Sequence, residues 1–274
     1  MMTERARPYI GVSGVINPEQ QAHLLNYFQD QGLDEYRDLA LGVKATHKTQ
    51  FLDTENKYGR DWYPVGEAEF AGALEPRAGS LNVAQMFLDP KYVNDPAYRS
   101  EFIGRIRRRG ATWLGAMQFD MLPWDTDAAL LPFIEEVKRA SGLKMLLQVH
   151  GEIMQRLGPD TVVRMLGRYA HALDYVLFDA SHGKGVRLNT DALRPFLEAA
   201  YGSDALQTVG ISVAGGLNST VVREYLPELV QDYPDLSWDA EGRLHPTNTA
   251  GLRPIDMDVA QSYIIASAEV LRSV

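Results

Sequence analysis

Residues 209–218 read VGISVAGGLN, an apolar run followed by two glycines and an asparagine suited to cap a helix. This order is typical of a strand that turns into a helix. Glycine has no Cβ, so the backbone at Gly215 and Gly216 can adopt a positive φ and let an anion approach its N–H groups. The N-terminus of the next helix adds unpaired donors and the positive end of its dipole. The segment therefore predicts a phosphate site, and a simple tight turn is the alternative interpretation.

The rest of the chain repeats this alternation of strand and helix. Runs rich in β-forming residues occupy 9–15, 39–45, 81–88, 112–119, 144–149, 174–179, 207–214 and, most weakly, 236–240. Helical periodicity is clearest at Leu130, Ile134, Val137 and Lys138 and at Val162, Met165, Leu166 and Tyr169. Eight strands that alternate with helices predict an α/β fold, the (β/α)8 TIM barrel. The length of 274 residues predicts a single such domain over residues 1–274. The glycine pair then follows strand 7, where barrels of this class typically bind phosphate.

Three short motifs predict where helices begin. Residues 17–20 (NPEQ) offer a cap, a proline at the first helical position and a glutamine placed to close a capping box. Residues 94–96 (NDP) and 158–160 (GPD) are similar entry signals. Each motif lies between two of the predicted strands, as the alternating pattern requires.

The composition excludes several functional classes. A formal net charge of −9 disfavours binding to nucleic acid or to an anionic membrane surface. The chain has no cysteine, which excludes disulfides, thiolate catalysis and cysteine zinc sites. No apolar run reaches 18 residues, so we expect a soluble, cytoplasmic protein. The partners that we expect are a small phosphorylated substrate and, in a homodimer, a second copy of the chain.

Four motifs resemble, in order, those of phosphoribosylanthranilate isomerase, the eight-stranded barrel enzyme of tryptophan biosynthesis. Residues 214–218 (AGGLN) look like the strand-7 signature of that family. Residues 177–179 (LFD), followed by 181–185 (SHGKG), resemble its strand-6 motif LLD and the glycine-rich GGTG after it. Residues 11–15 (GVSGV) occupy the place of KICGI in strand 1, and residues 117–119 (MQF) that of VQL in strand 4. The strand-6 and strand-7 motifs are the specific parts of this resemblance.

The resemblance implies roles for individual residues. Asp179 matches the general acid that protonates the ribose ring oxygen and opens the ring during the Amadori rearrangement. Ser13 matches the cysteine that serves as general base. A serine hydroxyl has too high a pKa to remove a carbon-bound proton near neutral pH, so the base must lie elsewhere if the reaction is retained. Gln118, in the strand-4 motif, and His182, just after Asp179, are expected substrate contacts.

The strand-8 turn departs from the family, which presents a small DVSSG turn to the phosphate. This chain reads WDAEGR at residues 238–243. Gly242 keeps a small residue at the expected phosphate site, whereas Glu241 brings a carboxylate close to it. Either Arg243 offsets that charge or Glu241 points away.

A long irregular segment follows strand 2. Residues 46–66 show no clear period, and a loop of about 21 residues exceeds the ~12–15 at which structureless loops become uncommon unless functional. The segment is either a lid over the site or a solvated loop. As a lid it offers Asp53 as a carboxylate base, and Arg60 is the nearest candidate for the arginine that meets the anthranilate carboxylate in the family.

Histidines and acids also fall at predicted strand ends. His150 ends strand 5, and His182 lies three residues after Asp179, so both are expected at the catalytic mouth. Each is either a catalytic group or a hydrogen-bonded structural one. Three acids, Asp89, Asp120 and Asp239, also reach towards the mouth and could ligate a divalent metal together with the histidines. Neither the HExxH pattern nor the EF-hand spacing is present, so we expect no metal, and no cofactor is implied.

The pattern as a whole predicts an isomerase that acts on a phosphorylated sugar by an Amadori-type aldose–ketose rearrangement. One alternative is another phosphosugar enzyme, an epimerase, lyase or aldolase, with Asp53, His150 or His182 as base. In that case Lys44 is a Schiff-base candidate, and otherwise a solvated lysine at a strand end. The other alternative is a barrel that binds a phosphorylated metabolite without catalysis, because fold does not fix function.

Overall fold

The computed structural model describes residues 5–89, 93–109, 114–120, 122–179, 189–245, 247–248, 251–252 and 254–274. Eight parallel strands close into one barrel in the order in which they occur along the chain. They are β1 (Tyr9–Ser13), β2 (Asp38–Thr46), β3 (Ser80–Phe87), β4 (Ala116–Asp120), β5 (Lys144–His150), β6 (Tyr175–Asp179), β7 (Gly210–Ala214) and β8 (Ser237–Ala240). The predicted TIM barrel is confirmed, and the single-domain organisation stays a prediction.

Helices alternate with these strands. They are α1 (Pro18–Asp30), α2 (His47–Phe51), α3 (Gly66–Gly72), α4 (Pro96–Arg109), α5 (Leu130–Ser141), α6 (Gly151–Leu157), α7 (Pro159–Leu166), α8 (Thr190–Tyr201), α9 (Ser219–Asp232) and α10 (Met257–Ser273). A two-stranded antiparallel pair, β9 (Thr247–Asn248) and β10 (Gly251–Leu252), lies between β8 and α10. In the described part of the chain, no helix has the length and the apolar character that a membrane span requires.

The predicted helix starts are confirmed, with one difference in the cap of α1 and another at the end of α7. Asn17 caps α1 by accepting from the Gln20 backbone N–H, as predicted. The Gln20 side chain accepts from the N–H of Ile16, not from that of the cap, so the predicted capping box closes one residue earlier. Tyr169 lies beyond α7, because that helix ends at Leu166 and Gly167 is its C-terminal cap.

Several element boundaries differ from the sequence prediction, among them β1, which ends at Ser13, and β7, which begins at Gly210. β4 begins at Ala116, later than the predicted run at 112–119, and residues 112–113 lie outside the described residues. The segment after β2 is not irregular from its start. Thr46 and Thr49 form a reciprocal capping box that begins the short helix α2. The irregular part therefore runs from 52 to 65.

Apolar side chains form a core on each side of the barrel wall. A large cluster fills the space between the strands and the surrounding helices. A smaller cluster fills the barrel interior towards the N-terminal end of the strands and consists of Tyr9, Ala40, Leu81, Val83, Ala116, Leu146, Tyr175 and Leu177. At the other end the inward positions turn polar, with Ser13, Gln85, Gln118 and Gln148 all buried. The polar layer lies where active sites of this fold occur.

Candidate active site

A cavity of about 260 Å³ opens at the C-terminal end of the barrel. Its lining comes from strand ends and from the loops that follow β2, β7 and β8. The lining residues are Lys44, Tyr58, Trp62, Tyr63, Gln85, Phe87, Gln118, Asp120, Gln148, His150, Leu177, Asp179, Ala214, Gly215, Gly216, Asp239, Glu241 and Gly242. Predicted acid, phosphate and substrate residues thus share one cavity with groups that the sequence did not single out.

A row of buried polar side chains crosses the floor of this cavity. Gln85 Nε2 donates to Ser13 Oγ (2.6 Å) and to Gln118 Oε1 (3.4 Å). Gln118 Nε2 donates to Gln148 Oε1 at 3.0 Å, and Gln148 Nε2 donates to Asp179 Oδ2 at 3.0 Å. We call the three glutamines the amide row. The amide row crosses the barrel and holds the Asp179 carboxylate in a fixed orientation.

The far end of the same hydrogen-bonded chain is Asp239. The hydroxyl of Ser13 donates to Asp239 Oδ1 at 3.0 Å, on the neighbouring strand. Ser13 is therefore a hydrogen-bond donor to a carboxylate. The titratable group beside the position of the family's cysteine is the Asp239 carboxyl, which lies in the cavity lining and is 9% exposed.

The environment of Asp239 suits proton transfer. Burial raises the pKa of its carboxyl to about 7, and the charges of Glu241 and Asp179 act in the same direction. The hydrogen bond from Ser13 and the charge of Lys44 oppose them and stabilise the ionised form. A carboxyl with a pKa near 7 can both take up and release a proton at neutral pH.

Two glycines make room for these groups. A Cβ on Gly11 would lie 2.6 Å from Asp239 Cγ, and one on Gly42 would lie 2.8 Å from Ser13 Oγ and 2.9 Å from Gln85 Cδ. All three distances are shorter than van der Waals contact allows. The inward faces of β1 and β2 thus remain open so that the polar chain can pass between Asp239 and Gln85.

Lys44 is paired inside the cavity. The prediction of a solvated lysine is wrong, because this side chain is 3% exposed. Its ammonium forms a salt bridge with Glu241 and lies 4.1 Å from the ring centre of Trp62. Glu241 therefore lines the cavity with its charge offset by Lys44, an arrangement different from the predicted offset by Arg243.

The segment after β2 covers part of the mouth. Trp62 and Tyr63 are 3% and 5% exposed and line the cavity. The Trp62 ring packs on His245, with 3.9 Å between ring centres, and His245 Nε2 lies 3.1 Å from the carbonyl oxygen of Ser13. A Cβ on Gly14 would lie 2.5 Å from His245, so this glycine admits the histidine. The contacts favour the lid interpretation over a solvated loop.

The turn after β7 has the predicted backbone. Gly215 and Gly216 have φ of 124° and 59°, a region that favours glycine. Asn218 caps α9 by accepting from the Val221 N–H, which confirms the predicted cap. Both glycines line the cavity, and so does Gly242, on the turn after the adjacent strand β8. A Cβ on Gly242 would meet nothing within 4 Å, so that turn adjoins open space.

The structure separates the other predicted site residues into two groups. Gln118 and His150 line the cavity with Asp179, and His150 is the β5 partner of Asp179 in the sheet register. Asp53 and Arg60 do not line it. Asp53 is exposed, and Arg60 is 54% exposed and forms salt bridges with Glu55 and Glu69. His182 lies outside the described residues.

Sequence reasoning gave no catalytic role to Asp239 and no role at all to Gln85 or Gln148. A signal existed for the amides, because one glutamine interrupts each of three successive apolar strands at an inward position. For Asp239 the sequence shows that strand 8 carries a carboxylate, but it does not show that this side chain is buried beside other charged groups. Among the described residues, no group of three or more His, Asp or Glu side chains is arranged to hold a metal ion, and the absence of a metal stays a prediction.

Comparison with known proteins identifies the fold. Neither the protein-family models nor the curated proteins contain a match to this chain. Among solved structures, monomers of the dimeric phosphoribosylanthranilate isomerase of Thermotoga maritima are similar, with 11% identity over 96% of this chain and 99% of that one, at a TM-score of 0.55.

Two tryptophan synthase subunits are similar to the same degree. The alpha subunit of Legionella pneumophila has 9% identity over 97% of this chain and 94% of that one, at a TM-score of 0.54. The A-subunit of the hyperthermophile Pyrococcus furiosus has 14% identity over 99% and 100%, at 0.53. These proteins are enzymes with a TIM barrel. The likeness shows that this chain shares their fold, and the homodimer stays a prediction.

Proposed function

We propose that this chain is an isomerase that moves a proton within a phosphorylated sugar, by an aldose–ketose rearrangement of the Amadori type. The observation that carries the proposal is the Asp239 carboxyl, buried in the cavity 3.0 Å from the hydroxyl of Ser13. The resembled family has its base at the position of Ser13. Asp239 supplies the missing base from the neighbouring strand.

In the proposed reaction, Asp179 is the general acid and Asp239 is the general base. Asp179 gives a proton to the ring oxygen, and the bond between that oxygen and the anomeric carbon C1 breaks as the lone pair of the nitrogen or oxygen on C1 forms a double bond to it. Asp239, in its ionised form, then removes the proton from C2, the electron pair of the C–H bond forms a double bond between C2 and C1, and the earlier double-bond pair of C1 returns to the nitrogen or oxygen. C1 takes up a proton as the C2 hydroxyl loses its own, which completes the ketose. Gln148 holds Asp179 and Ser13 holds Asp239, so both groups are oriented before substrate enters.

The phosphate is placed at the turns after β7 and β8. Gly215 and Gly216 have the backbone conformation that such a site requires, and α9 begins just beyond them. Gly242, on the turn after the adjacent strand β8, lines the same cavity. The salt bridge between Glu241 and Lys44 supports the proposal because it offsets the one carboxylate on that turn.

The alternatives have weaker support. A Schiff-base aldolase needs a lysine that is free to attack a carbonyl carbon, whereas the Lys44 side chain is engaged in a salt bridge with Glu241. A barrel that only binds a metabolite has no use for a buried carboxyl whose pKa lies near 7, since burial of that group costs stability once it ionises. His150 lines the cavity and is the alternative base for an epimerase or lyase.

The proposal is tested by exchange at C2. The protein is incubated in D2O with phosphoribosylanthranilate and with a panel of aldose phosphates, and NMR follows loss of the C2 proton, with deuterium appearing at C1 of the ketose product or at C2 of the recovered aldose. We expect exchange with at least one of these compounds in the wild type and a rate near background in Asp239→Asn. Exchange that persists in Asp239→Asn and disappears in His150→Gln would assign the base to His150 instead.

Gly216→Val is expected to weaken binding of inorganic phosphate at least tenfold, since a β-branched residue is strained at a positive φ and its side chain blocks the anion. Isothermal titration calorimetry measures the affinity. The matched control is Gly142→Val, a positive-φ glycine at the end of α5, outside the cavity, with nothing within 4 Å of its Cβ position. Equal phosphate affinity in Gly216→Val and wild type would place the phosphate elsewhere.

A further inference from the structure

Lys44 is a buried cation in the wall of the cavity. It lies in β2, which is hydrogen-bonded to β1 on one side and to β3 on the other, and its side chain is 3% exposed. Among the described residues that line the cavity, it is the one lysine or arginine. Its salt-bridge partner is Glu241, and neither residue gives or takes a proton in the proposed reaction.

The two members of this salt bridge differ in their freedom to move. The Lys44 ammonium lies 4.1 Å from the ring centre of Trp62 and 5.8 Å from that of Tyr63, and its backbone is part of the barrel wall. Glu241 directly follows the last residue of β8, and its side chain is 40% exposed. Rotation of its side-chain bonds is enough to bring the Glu241 carboxylate into water. Glu241 is therefore the member that can leave the pair.

A buried ammonium group needs an anion beside it. Loss of one partner from a buried ion pair leaves an uncompensated charge in a medium of low dielectric constant, which is unfavourable. The rings of Trp62 and Tyr63 offset this cost only in part. Departure of Glu241 is therefore favourable only when another anion takes its place. The salt bridge thus marks a position in the cavity that suits an anion.

This position lies beside the turns proposed for the phosphate. Glu241 directly precedes Gly242, and β8 is hydrogen-bonded to β7, which Gly215 and Gly216 follow. All four residues line the same cavity as Lys44. A phosphate on these turns is repelled by a carboxylate held next to it, and the repulsion decreases when Glu241 turns to solvent. Binding of phosphate therefore favours release of Glu241 from Lys44.

The charge of the incoming anion decides this competition. Glu241 is tethered to the barrel, so its effective concentration at Lys44 exceeds that of a free carboxylate in dilute solution. A phosphate monoester carries a charge of about −1.5 to −2 at pH 7 and attracts an ammonium group more strongly than one carboxylate does. The tethered carboxylate thus excludes free carboxylates from Lys44 and yields to a phosphate.

We propose that Lys44 binds the phosphate of the substrate directly, and that this binding displaces Glu241 from the salt bridge. The inference rests on the proposed function in placing the phosphate at the turns after β7 and β8. It adds a charged side chain to a site that the glycine turns alone would build from backbone N–H groups. It also gives the segment after β2 a role, because Trp62 and Tyr63 then pack on a residue that binds substrate.

A double-mutant cycle separates direct binding from simple neutralisation of Glu241. Calorimetry with inorganic phosphate compares the wild type, Lys44→Met, Glu241→Gln and the double variant. If Lys44 binds the phosphate, Lys44→Met should weaken binding by about tenfold or more in the Glu241→Gln background, where the charge of Glu241 is absent. If Lys44 only neutralises Glu241, Lys44→Met has no effect in that background, and this result overturns the proposal. We also expect Glu241→Gln alone to bind phosphate about fivefold more tightly than the wild type, because the competing carboxylate is gone.

Two controls accompany the cycle. Lys138→Met removes a lysine from a salt bridge with Asp174 outside the cavity, and it should leave phosphate affinity unchanged. Acetate, titrated into the wild type, should bind at least about tenfold more weakly than phosphate. Acetate that binds as tightly as phosphate refutes the selection by charge and with it the proposal.

A crystal of the wild-type protein soaked in phosphate tests the exchange without any substitution, so the test survives a variant that fails to fold. We expect Lys44 Nζ at about 2.7–3.2 Å from a phosphate oxygen and the Glu241 side chain turned to solvent. Phosphate on the glycine turns beside an intact salt bridge would overturn the proposal. None of these measurements depends on turnover. Failure of the C2 exchange test would overturn the isomerase alone, and C2 exchange without any dependence of phosphate binding on Lys44 would overturn this inference alone.

Discussion

Asp239→Asn lowers the turnover number by about 10²–10⁴-fold on the substrate that shows C2 exchange, the range expected for loss of one general base. The amide of asparagine keeps the size of the side chain and can still accept from Ser13, so the geometry of the floor is preserved. What disappears is the ability to take up a proton. Steady-state kinetics at saturating substrate measure the effect, and Asp179→Asn is expected to fall in the same range through loss of the acid.

The pH profile distinguishes a base from a structural carboxylate. Since the proposed reaction requires the ionised form of Asp239 and burial raises its pKa to about 7, kcat/KM of the wild type should fall about tenfold per pH unit below that value. Ser13→Ala removes a hydrogen bond that stabilises the ionised form, so the acidic limb should move to higher pH. A profile that does not move in Ser13→Ala would contradict the pairing of these two residues in catalysis.

Asp239→Asn should also make the protein more stable at neutral and alkaline pH than the wild type. The unfolded chain has an ordinary aspartate pKa, whereas burial raises the pKa in the folded protein from 3.8 to about 7. The folded state therefore binds the proton more tightly. The stability that this tighter proton binding contributes is complete below pH 4 and is lost as the pH rises through 7. Asparagine does not ionise and escapes this loss, which amounts to roughly 4 kcal/mol at most.

Urea unfolding of both proteins from pH 5 to pH 8 measures this effect. The quantity of interest is the difference in free energy of unfolding between Asp239→Asn and wild type, which should increase with pH and level off above about 7. A constant offset, from the exchange of an oxygen for an amide, does not disturb this trend. Asp204→Asn, which removes an exposed carboxyl at the other end of the barrel, should show no such increase. A difference independent of pH would show that Asp239 is already ionised at low pH in the folded state.

The barrel could be predicted because its signals are local. Each strand is a short apolar run, and the caps at Asn17 and Asn218 depend on residues within four positions of them. The errors are local too. Helix α7 ends at Leu166 because the chain turns at Gly167, although the apolar period continues to Tyr169. The capping box that begins α2 was visible in the Thr46 and Thr49 pair, but two threonines are a weaker signal than a threonine and a glutamate.

The site was predictable only in part because its properties depend on distant residues. Motifs predicted the positions of Asp179 and the glycine pair, which line the cavity, and their roles stay predictions. Lys44 was expected in solvent, and its burial results from Glu241, which lies 197 residues away in the chain. The pKa of Asp239 likewise depends on burial inside a closed barrel and on neighbours from other strands. Arg60 had the right charge in the right segment, yet carboxylates of that same segment and of α3 hold it outside the cavity.

The amide row has a consequence for how protons travel. A chain of waters or hydroxyls conducts protons, because each oxygen can accept one proton while it releases another. An amide nitrogen does not do so readily, since it donates its hydrogens and has no available lone pair. Gln85 donates in both directions, so the row points outwards from it, towards Asp179 through two more amides and towards Asp239 through Ser13. The floor therefore holds the two carboxyl groups in fixed positions, but it does not conduct protons between them. In the proposed reaction, a proton taken up by one carboxyl group therefore does not pass along this floor to the other, and the substrate is the only link between them.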